Sequence, residues 1–268
     1  MRSAKRIIGD ILLLIIGSVM IVPFLYMIIT SFKITYTYSF DFSLSNLTLK
    51  NYMAIFKDTN FFIYFINSFI IAILGVILTV TFSSLAAYAF AKKDFKGNNK
   101  IFFFMIATLI IPSQVTMIPL YIIMKNLGWI NTYYALILPI PTAFGVFLMR
   151  QAILNIPNDL MEAARIDGYS DFQIFIYIVL PLIKPAILTL SIFTFIGAWN
   201  EFLWPLIVTT KDSMRTLTVG MSTLQAQYIV NYGMVMAGAT LTFIPSFIFY
   251  LVLQSKFIEG VTLSGVKG

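Results

Sequence analysis

A chain of 268 residues that is 59% hydrophobic and only 11% charged, with a mean hydropathy of +0.90, cannot bury all of its apolar side chains in a water-soluble fold. It contains no Cys and no His, which excludes disulfides, thiolate and imidazole catalysis and the usual zinc sites. Its net charge of +7 comes from Lys and Arg scattered in short loops, unlike the aromatic-interleaved basic surfaces that bind nucleic acid. We therefore expect a membrane protein with no metal, no cofactor and no nucleic-acid partner.

Six apolar segments each approach the roughly 20 residues that an α-helix needs to cross hydrocarbon. They are 7–30, 65–91, 101–124, 133–149, 183–208 and 234–254. These segments are apolar on every side, whereas the strands of a membrane β-barrel alternate in polarity. The sequence thus predicts an all-α polytopic membrane protein, a single domain over residues 1–268 with six transmembrane helices. The first segment is longer than a signal-peptide core, so we expect it to be retained.

The basic residues predict which loops are cytoplasmic, because Lys and Arg concentrate on that side. With the N-terminus inside, 12 of the 18 Lys and Arg residues lie on the cytoplasmic side. We therefore expect both termini and the loop 150–182 to be cytoplasmic, with lipid around the spans. The outer loops 31–64 and 209–233 suit either partner contacts or simple surface connections, and both interpretations stay open.

Polar residues and prolines interrupt the second and third segments. Asn67 and the Ser83-Ser84 pair favour packing between helices over ligand binding, because small and polar residues commonly join membrane helices. Pro112 predicts a break or kink, since it lacks a backbone N–H and leaves carbonyls that need polar partners. Gln114 stands beside that break, and a lesser role in a solute path is one interpretation of it.

The loop 150–182 is a polar island whose sequence predicts two short helices joined by a tight turn. Pro157 suits the first turn of a helix, and Gly168 suits a left-handed residue that ends it. Ser170 and Gln173 then fit a capping box, in which each side chain satisfies a backbone donor at the start of the next helix.

One face of the first island helix predicts a docking surface. Leu160, Ala163, Ala164 and Asp167 recur at the spacing of a single helix face, which gives a shelf of small side chains flanked by acids. Small side chains allow close approach of a partner, and the acids suit pairing with its Lys or Arg. The same pattern also fits a helix packed under its own bundle.

The island and much of the remaining chain resemble a known family. Glu162-Ala163-Ala164, then Gly168, and after nine more residues Ile178-Val179-Leu180-Pro181 match the defining positions of the EAA loop in permease subunits of bacterial ATP-binding-cassette importers. Similarity to the carbohydrate-importer branch continues in Asn67-Ser68-Phe69, Ile111-Pro112-Ser113-Gln114, Ile156-Pro157, 198–206 and 263–268. The chain looks most like the maltose-type permease subunit, which implies a type I ABC importer permease in the bacterial inner membrane.

This resemblance also implies roles and partners. In the family, the EAA helix is a coupling helix that sits in a cleft of a cytoplasmic ATPase subunit. By resemblance, the coupling residues are Glu162, Ala163, Ala164, Asp167 and Gly168. The implied partners are a second permease subunit, two ATP-binding-cassette ATPase subunits and an extracytoplasmic solute-binding protein, with a sugar as solute. We expect no enzyme activity in this chain, because its nearest approach to a P-loop, at 260–268, inserts Val266 before the Lys.

Glu201 is the one acid predicted well inside a span, and it marks a candidate solute path. An ionisable group at membrane depth costs at least a few kcal/mol, so it is expected to face a cavity or a partner. One interpretation places Glu201, Asn200, Trp199, Trp204 and Gln114 along the solute path, with an indole stacking on a sugar; the other is a structural contact. The alternative function is an ion-gradient-driven secondary transporter, although the internal repeats usual in such carriers are not clear here.

Overall fold

The structure is a computed structural model that describes the backbone of residues 2–37, 39–227 and 231–265, and the side chains of 9–37, 39–223 and 231–252. Within these residues every regular element is helical, which confirms the all-α prediction. The helices are α1 (Arg2–Ser31), α2 (Lys50–Asp58), α3 (Phe61–Lys92), α4 (Asn98–Ala107), α5 (Ser113–Asn126), α6 (Tyr133–Ile137), α7 (Ala143–Leu154), α8 (Asn158–Ile166), α9 (Asp171–Ile174), α10 (Leu180–Leu182), α11 (Lys184–Asn200), α12 (Leu203–Val208), α13 (Leu217–Gln227) and α14 (Tyr232–Gly265). Of the terminal similarity at 263–268, residues 266–268 lie outside the described part of the chain.

Three of the described helices are long and apolar enough to cross a membrane by themselves. They are Gly9–Ser31, Phe61–Lys92 and Tyr232–Val252. Two further stretches are bent pairs: Asn98–Ile110 meets α5 at 104°, and Asp171–Leu182 meets α11 at 77°. If each bent pair is one crossing, the described residues contain up to five spans, as befits a multi-pass membrane protein.

Prolines divide two segments that the sequence predicts as single helices. Residues 133–149 form α6 and α7 with a gap at 138–142, because Pro139 and Pro141 cannot donate an N–H and disfavour helical backbone in the residue before them. α7 has 12 residues and is about 18 Å long, less than the thickness of the hydrocarbon core. The segment 183–208 is interrupted at Glu201, whose carbonyl lies four residues before Pro205 and cannot receive a helical N–H from it.

The break predicted at Pro112 is confirmed. A short 3-10 turn, Thr108–Ile110, ends the helix before it, and Pro112 has ψ 134° immediately ahead of α5. The bend of 104° lies at this point.

The chain divides into two compact units, whereas the sequence predicts one domain. One unit comprises Met1–Phe62 and Leu217–Pro245, and the other comprises Ile63–Thr216 and Ser246–Gly268. The grouping of the whole chain into one permease domain with six spans stays a prediction.

In the first unit, a buried asparagine holds the chain that follows α1. Asn51 Nδ2 donates to the carbonyl oxygens of Ser31 and Lys33, at 2.9 and 2.8 Å. A Cβ on Gly233 would lie 1.8 Å from the Lys33 carbonyl oxygen, so only glycine fits there. Lys33 Nζ also pairs with the Asp41 carboxylate at 2.8 Å, and this bond, together with the Ser43 amide, lowers the pKa of Asp41 to about 2.

In the second unit, an apolar core joins the end of α3, α7, α8 and the stretch from α9 to α11. Its buried members include Ala87, Tyr88, Val146, Met149, Ile153, Met161, Ala164, Ile174, Phe175, Val179, Ile183 and Leu190. Ser83 and Ser84 are each 1% exposed, and a Cβ on Gly145 of α7 would lie 2.3 Å from Ser83 Oγ. The packing role predicted for this serine pair is therefore confirmed, and the core fixes α8 against the helices around it.

Candidate coupling loop and solute-path residues

The first island helix, α8, is short and its C-terminal end is closed by a regular turn. Its nine residues follow Pro157, which has φ −58° and ψ 137° and supplies no side-chain cap. After it, Gly168 has φ +86°, its amide donates to the Arg165 carbonyl at 3.1 Å, and the Tyr169 amide donates to the Ala164 carbonyl at 3.0 Å. These two bonds form a Schellman motif, which confirms the predicted left-handed role of Gly168.

The second island helix begins two residues after this turn. Ser170 Oγ accepts the Gln173 amide at 3.4 Å, and Gln173 Oε1 accepts the Ser170 amide at 2.8 Å. Both halves of the predicted capping box are therefore present. The island is therefore helix, tight turn, helix, with α8 closed at its C-terminal end and α9 capped at its start.

The two faces of α8 differ from the sequence prediction at one residue. Met161 and Ala164 are buried in the core, at 3% and 6% exposure, while Glu162, Ala163 and Asp167 are exposed. Ala164 therefore packs inward and does not belong to an exposed shelf with Ala163. Met161 and Ala164 are three residues apart and lie on the same side of the helix, and this apolar side is the one that is buried.

Sequence reasoning missed an apolar residue on the outer face of α8. Ile166 is 87% exposed and Leu160 is 47% exposed, beside the exposed Glu162 and Asp167. The sequence spacing could have revealed it: Ile166 is five residues after the buried Met161, and residues five apart lie on different sides of an α-helix. Exposed apolar side chains among acids suit a protein partner better than water.

The stretch after α9 widens into a π-helix over Phe175–Val179. Leu180 donates its N–H to the Phe175 carbonyl, five residues back, in place of the usual four. Pro181 explains this, because its ring and missing N–H disturb the bond to the carbonyl of Tyr177. The chain then bends by 77° into α11, so this turn joins the coupling loop to the helix that leads to Glu201.

The predicted path residues fall into exposed and buried groups. Asn200 and Glu201 are exposed where α11 ends, and Gln114 is exposed in the first turn of α5. By contrast, Trp199 and Trp204 are only 1% and 8% exposed.

Both indoles pack against the chain itself. Trp199 stacks on Phe195 with ring centroids 5.8 Å apart and meets Phe65 edge-on at 5.7 Å. Trp204 Nε1 donates to the Ala135 carbonyl at 2.8 Å, within a core that joins α5, α6 and α12. Neither indole face is open to a solute in this structure, so the predicted stacking on a sugar has no exposed ring to provide it.

Glu201 makes a contact within its own chain. Its Oε1 accepts the Trp204 backbone N–H at 3.2 Å, which satisfies a donor in the first turn of α12. The carboxylate is therefore fixed at the break between two helices, and the residue remains exposed. Glu201 can therefore make this structural contact and also border a solute path.

Asn67 is fully engaged in packing. Its Nδ2 donates to the carbonyl oxygens of Ser213 and Arg215, both at 2.9 Å, and its Oδ1 accepts Tyr133 Oη at 2.6 Å. The residue is 3% exposed, which confirms the prediction that it joins segments of the chain.

A family profile described as the binding-protein-dependent transport system inner membrane component matches residues 79–260. The chain belongs to this family. Its members are inner-membrane permeases that act with a binding protein, so this chain is a transport permease and not an enzyme.

Relatives and a solved structure agree with the family. The permease is 39% identical over 260 residues to the arabinooligosaccharides transport system permease protein AraQ of Halalkalibacterium halodurans, covering 94% of this chain and 93% of AraQ. It is 35% identical over 270 residues to the trehalose/maltose transport system permease protein MalG of Thermococcus litoralis, covering 96% and 97%. A chain of a bacterial ABC transporter involved in the import of alginate superposes with a TM-score of 0.83 at 24% identity, covering 95% and 97%, and shares the fold.

Proposed function

We propose that this permease is one of two membrane subunits in an ATP-driven importer of saccharides, working with two cytoplasmic ATPase subunits and an extracytoplasmic solute-binding protein. The observation that carries the proposal is α8, a short helix that ends in a Schellman turn and is fastened to the core through Met161 and Ala164. Its outer face carries Glu162, Ala163 and Ile166, exposed for a partner. The ATPase is a separate subunit, since the sequence has no P-loop.

The coupling role divides among the EAA residues. Glu162, Ala163 and Asp167 contact the ATPase, and Gly168 makes the sharp turn that keeps α8 short. Ala164 acts from the inner face by holding α8 on the core. When ATP binding closes the ATPase subunits, α8 moves as a rigid lever, and the cavity between the two permeases changes its opening.

The proposed topology has six spans with both termini in the cytoplasm. The straight helices and the two bent pairs supply five crossings, and the broken stretch 133–149 is the remaining one, with its ends in α6 and α7. The excess of basic residues on the inner side, 12 of 18, supports this orientation, in which the loop 150–182 lies on the ATPase side.

Glu201, Asn200 and Gln114 are proposed to border the solute path, because they are exposed polar residues at helix breaks inside apolar segments. Trp199 and Trp204 support them from behind, by anchoring the two helices that flank Glu201. Replacing Glu201 by Gln should lower maximal uptake severalfold, because the charge is lost while the bond to the α12 amide can be kept. Asp58→Asn, at an exposed position, is the matched control, and equal uptake in the two variants contradicts the path role.

The proposed solute is an oligosaccharide or disaccharide. This rests on the relatives, which are named as permeases for arabinooligosaccharides and for trehalose and maltose. A polar path with few charges fits neutral, hydroxyl-rich solutes.

The test is uptake into proteoliposomes that contain this permease with its partner subunits and binding protein. Radiolabelled arabinooligosaccharides, maltose and trehalose are the probes, with arabinose as a monosaccharide comparison. We expect uptake of at least one oligosaccharide or disaccharide to require internal ATP and to survive ionophores that collapse proton and sodium gradients. Gradient-driven uptake by this chain without ATP overturns the proposal and identifies a secondary transporter.

A further inference from the structure

Two successive lysines at the end of α3 contact the loop 150–182 before and after α8. Lys92 Nζ donates to the Ile156 carbonyl at 2.6 Å and to Asn158 Oδ1 at 2.8 Å, on either side of the proline that precedes α8. Lys93 forms an ion pair with Asp171, the first residue of α9. One lysine therefore holds the start of α8, and the next holds the helix that follows it.

The second contact is reinforced by neighbouring groups. Arg165, in the last turn of α8, lies 3.6 Å from the same Asp171 carboxylate oxygen. Lys93 Nζ also lies over the ring of Tyr88, 5.5 Å from its centroid, and Tyr88 packs on Phe175 at 5.3 Å. The ion pair is thus tied to α3, to α8 and to the π-helical turn.

Long side chains are needed because α3 and α8 are not in close contact everywhere. A polar cavity of about 290 Å³ lies between them, lined by Lys92, Lys93, Arg165 and the acids Asp94 and Glu162, among others. Met161 and Ala164 hold α8 on the apolar core. Across the polar cavity, the side chains of Lys92 and Lys93 connect α3 to the chain on either side of α8. Lys92 reaches neutral oxygen acceptors, so its bonds depend on position and not on long-range attraction.

We propose that Lys92 and Lys93 are positioning residues that fasten the coupling loop to α3, so that a displacement of α8 moves α3 as well as α11. The proposal rests on the proposed coupling role of α8. Along the chain, α8 reaches α11 only through the π-helical turn and a 77° bend, while α3 is connected to it by side-chain contacts alone. Without the two lysines, α8 can slide past the end of α3 and part of its displacement is lost.

The experiment uses the purified transporter with all its subunits, and spin labels attached at two exposed positions, Leu85→Cys on α3 and Asp159→Cys on α8. The chain has no native cysteine, so within it both labels are specific. Dipolar broadening gives the label-to-label distance without nucleotide and after trapping with ATP and orthovanadate. In the parent protein we expect the distance to change by less than about 2 Å, the scale of helix shifts at interfaces, because the two elements move together.

Lys92→Met should broaden the distance distribution and separate the labels on trapping, whereas Lys96→Met, an exposed lysine in the same loop, should leave both unchanged. For the second tether, Lys93→Met should have the same effect, and Asp171→Asn should have an effect at least as large because it also removes the contact with Arg165. The double variant should match Asp171→Asn alone, since that change already removes the pair with Lys93. Equal amounts of ATPase in each purified complex exclude a folding defect.

Two results distinguish the possible failures. If the labels separate on trapping in the parent protein, or if Lys92→Met behaves like Lys96→Met, the tether is overturned while the coupling role of α8 stands. If no ATPase copurifies with the parent chain, the proposed function itself is overturned, and the tether proposal with it.

Discussion

Replacing Gly145 by Ala should weaken the contact between α7 and α3 that supports the coupling loop. The added Cβ would lie 2.3 Å from Ser83 Oγ and 3.2 Å from Ser83 Cβ, and both distances are shorter than ordinary van der Waals contacts. Leu190 Cδ2 would lie at 3.4 Å, so the new methyl group has a second close neighbour. Forcing an extra methyl group into such a packed site costs roughly 1–3 kcal/mol.

Gly197→Ala in α11 is the matched control, because nothing lies within 4 Å of its added Cβ. Both glycines lie in a terminal turn, Gly145 in the first turn of α7 and Gly197 in the last turn of α11, so the gain in helix propensity from Ala is similar at the two sites and at most about 0.5–1 kcal/mol. The difference in unfolding free energy between the Gly145 and Gly197 variants therefore isolates the steric cost. We expect Gly145→Ala to be less stable than Gly197→Ala by roughly 1–3 kcal/mol.

The assay is reversible unfolding of the purified chain in mixed detergent micelles, followed by the fluorescence of its three tryptophans. Ser83→Ala removes the hydroxyl oxygen that the new methyl would meet, so the double variant should recover about 1 kcal/mol relative to the sum of the single changes. Strict additivity of Ser83→Ala and Gly145→Ala, or equal stability of the two glycine variants, refutes the reasoning.

Three further changes test other parts of the structure. In Gly168→Ala the added Cβ meets no atom within 4 Å, but the alanine must adopt φ +86°. The change should therefore cost about 1–2 kcal/mol of backbone strain and speed amide hydrogen exchange at the end of α8. An unchanged exchange rate contradicts the Schellman turn. Asn67→Ala removes the partner of two carbonyls and a phenol in part-buried hydrogen bonds, so it should destabilise the chain by roughly 2 kcal/mol. The exposed Asn155→Ala should cost less than about 0.5 kcal/mol in the same unfolding assay. The pKa of Asp41 is lowered from 3.8 to about 2, so the stability that Asp41 contributes is complete above pH 3.8 and is lost as the pH falls toward 2. In thermal melting, Asp41→Asn should lack this acid-dependent loss of stability. An equal loss in both proteins contradicts the ion pair with Lys33.

Local rules predicted the coupling loop well because its structure is set by neighbouring residues. A serine three residues before a glutamine specifies a capping box, and Gly168 specifies a left-handed turn, whatever lies around them. The same holds at Pro112, where the missing N–H is a property of one residue. These features could be read from a few positions at a time.

Features that depend on tertiary packing were not predictable in the same way. The inward direction of Ala164 follows from the core beneath α8, and the burial of Trp199 follows from Phe65 and Phe195, which are distant or a turn away. The sequence also predicted residues 133–149 as one helical segment, whereas the structure has α6 and α7. Hydropathy is averaged over many residues, so it does not detect the two prolines that separate these helices. The lysine tether depends on residues more than sixty positions apart, which no local pattern reports.

The most direct test of the central claim is photo-crosslinking from α8 in the assembled transporter. Ile166, 87% exposed, is replaced by Cys and carries a short photoreactive group. Tyr36→Cys, at 61% exposure in the loop 31–64 that the proposed topology puts outside, is the control. The expected result is a crosslink from position 166 to an ATPase subunit and none to it from position 36. Two results contradict the coupling role of this helix: the unlabelled Ile166→Cys variant reacts with a membrane-impermeant thiol reagent from outside the cell, or the photoreactive group at position 166 never crosslinks to an ATPase.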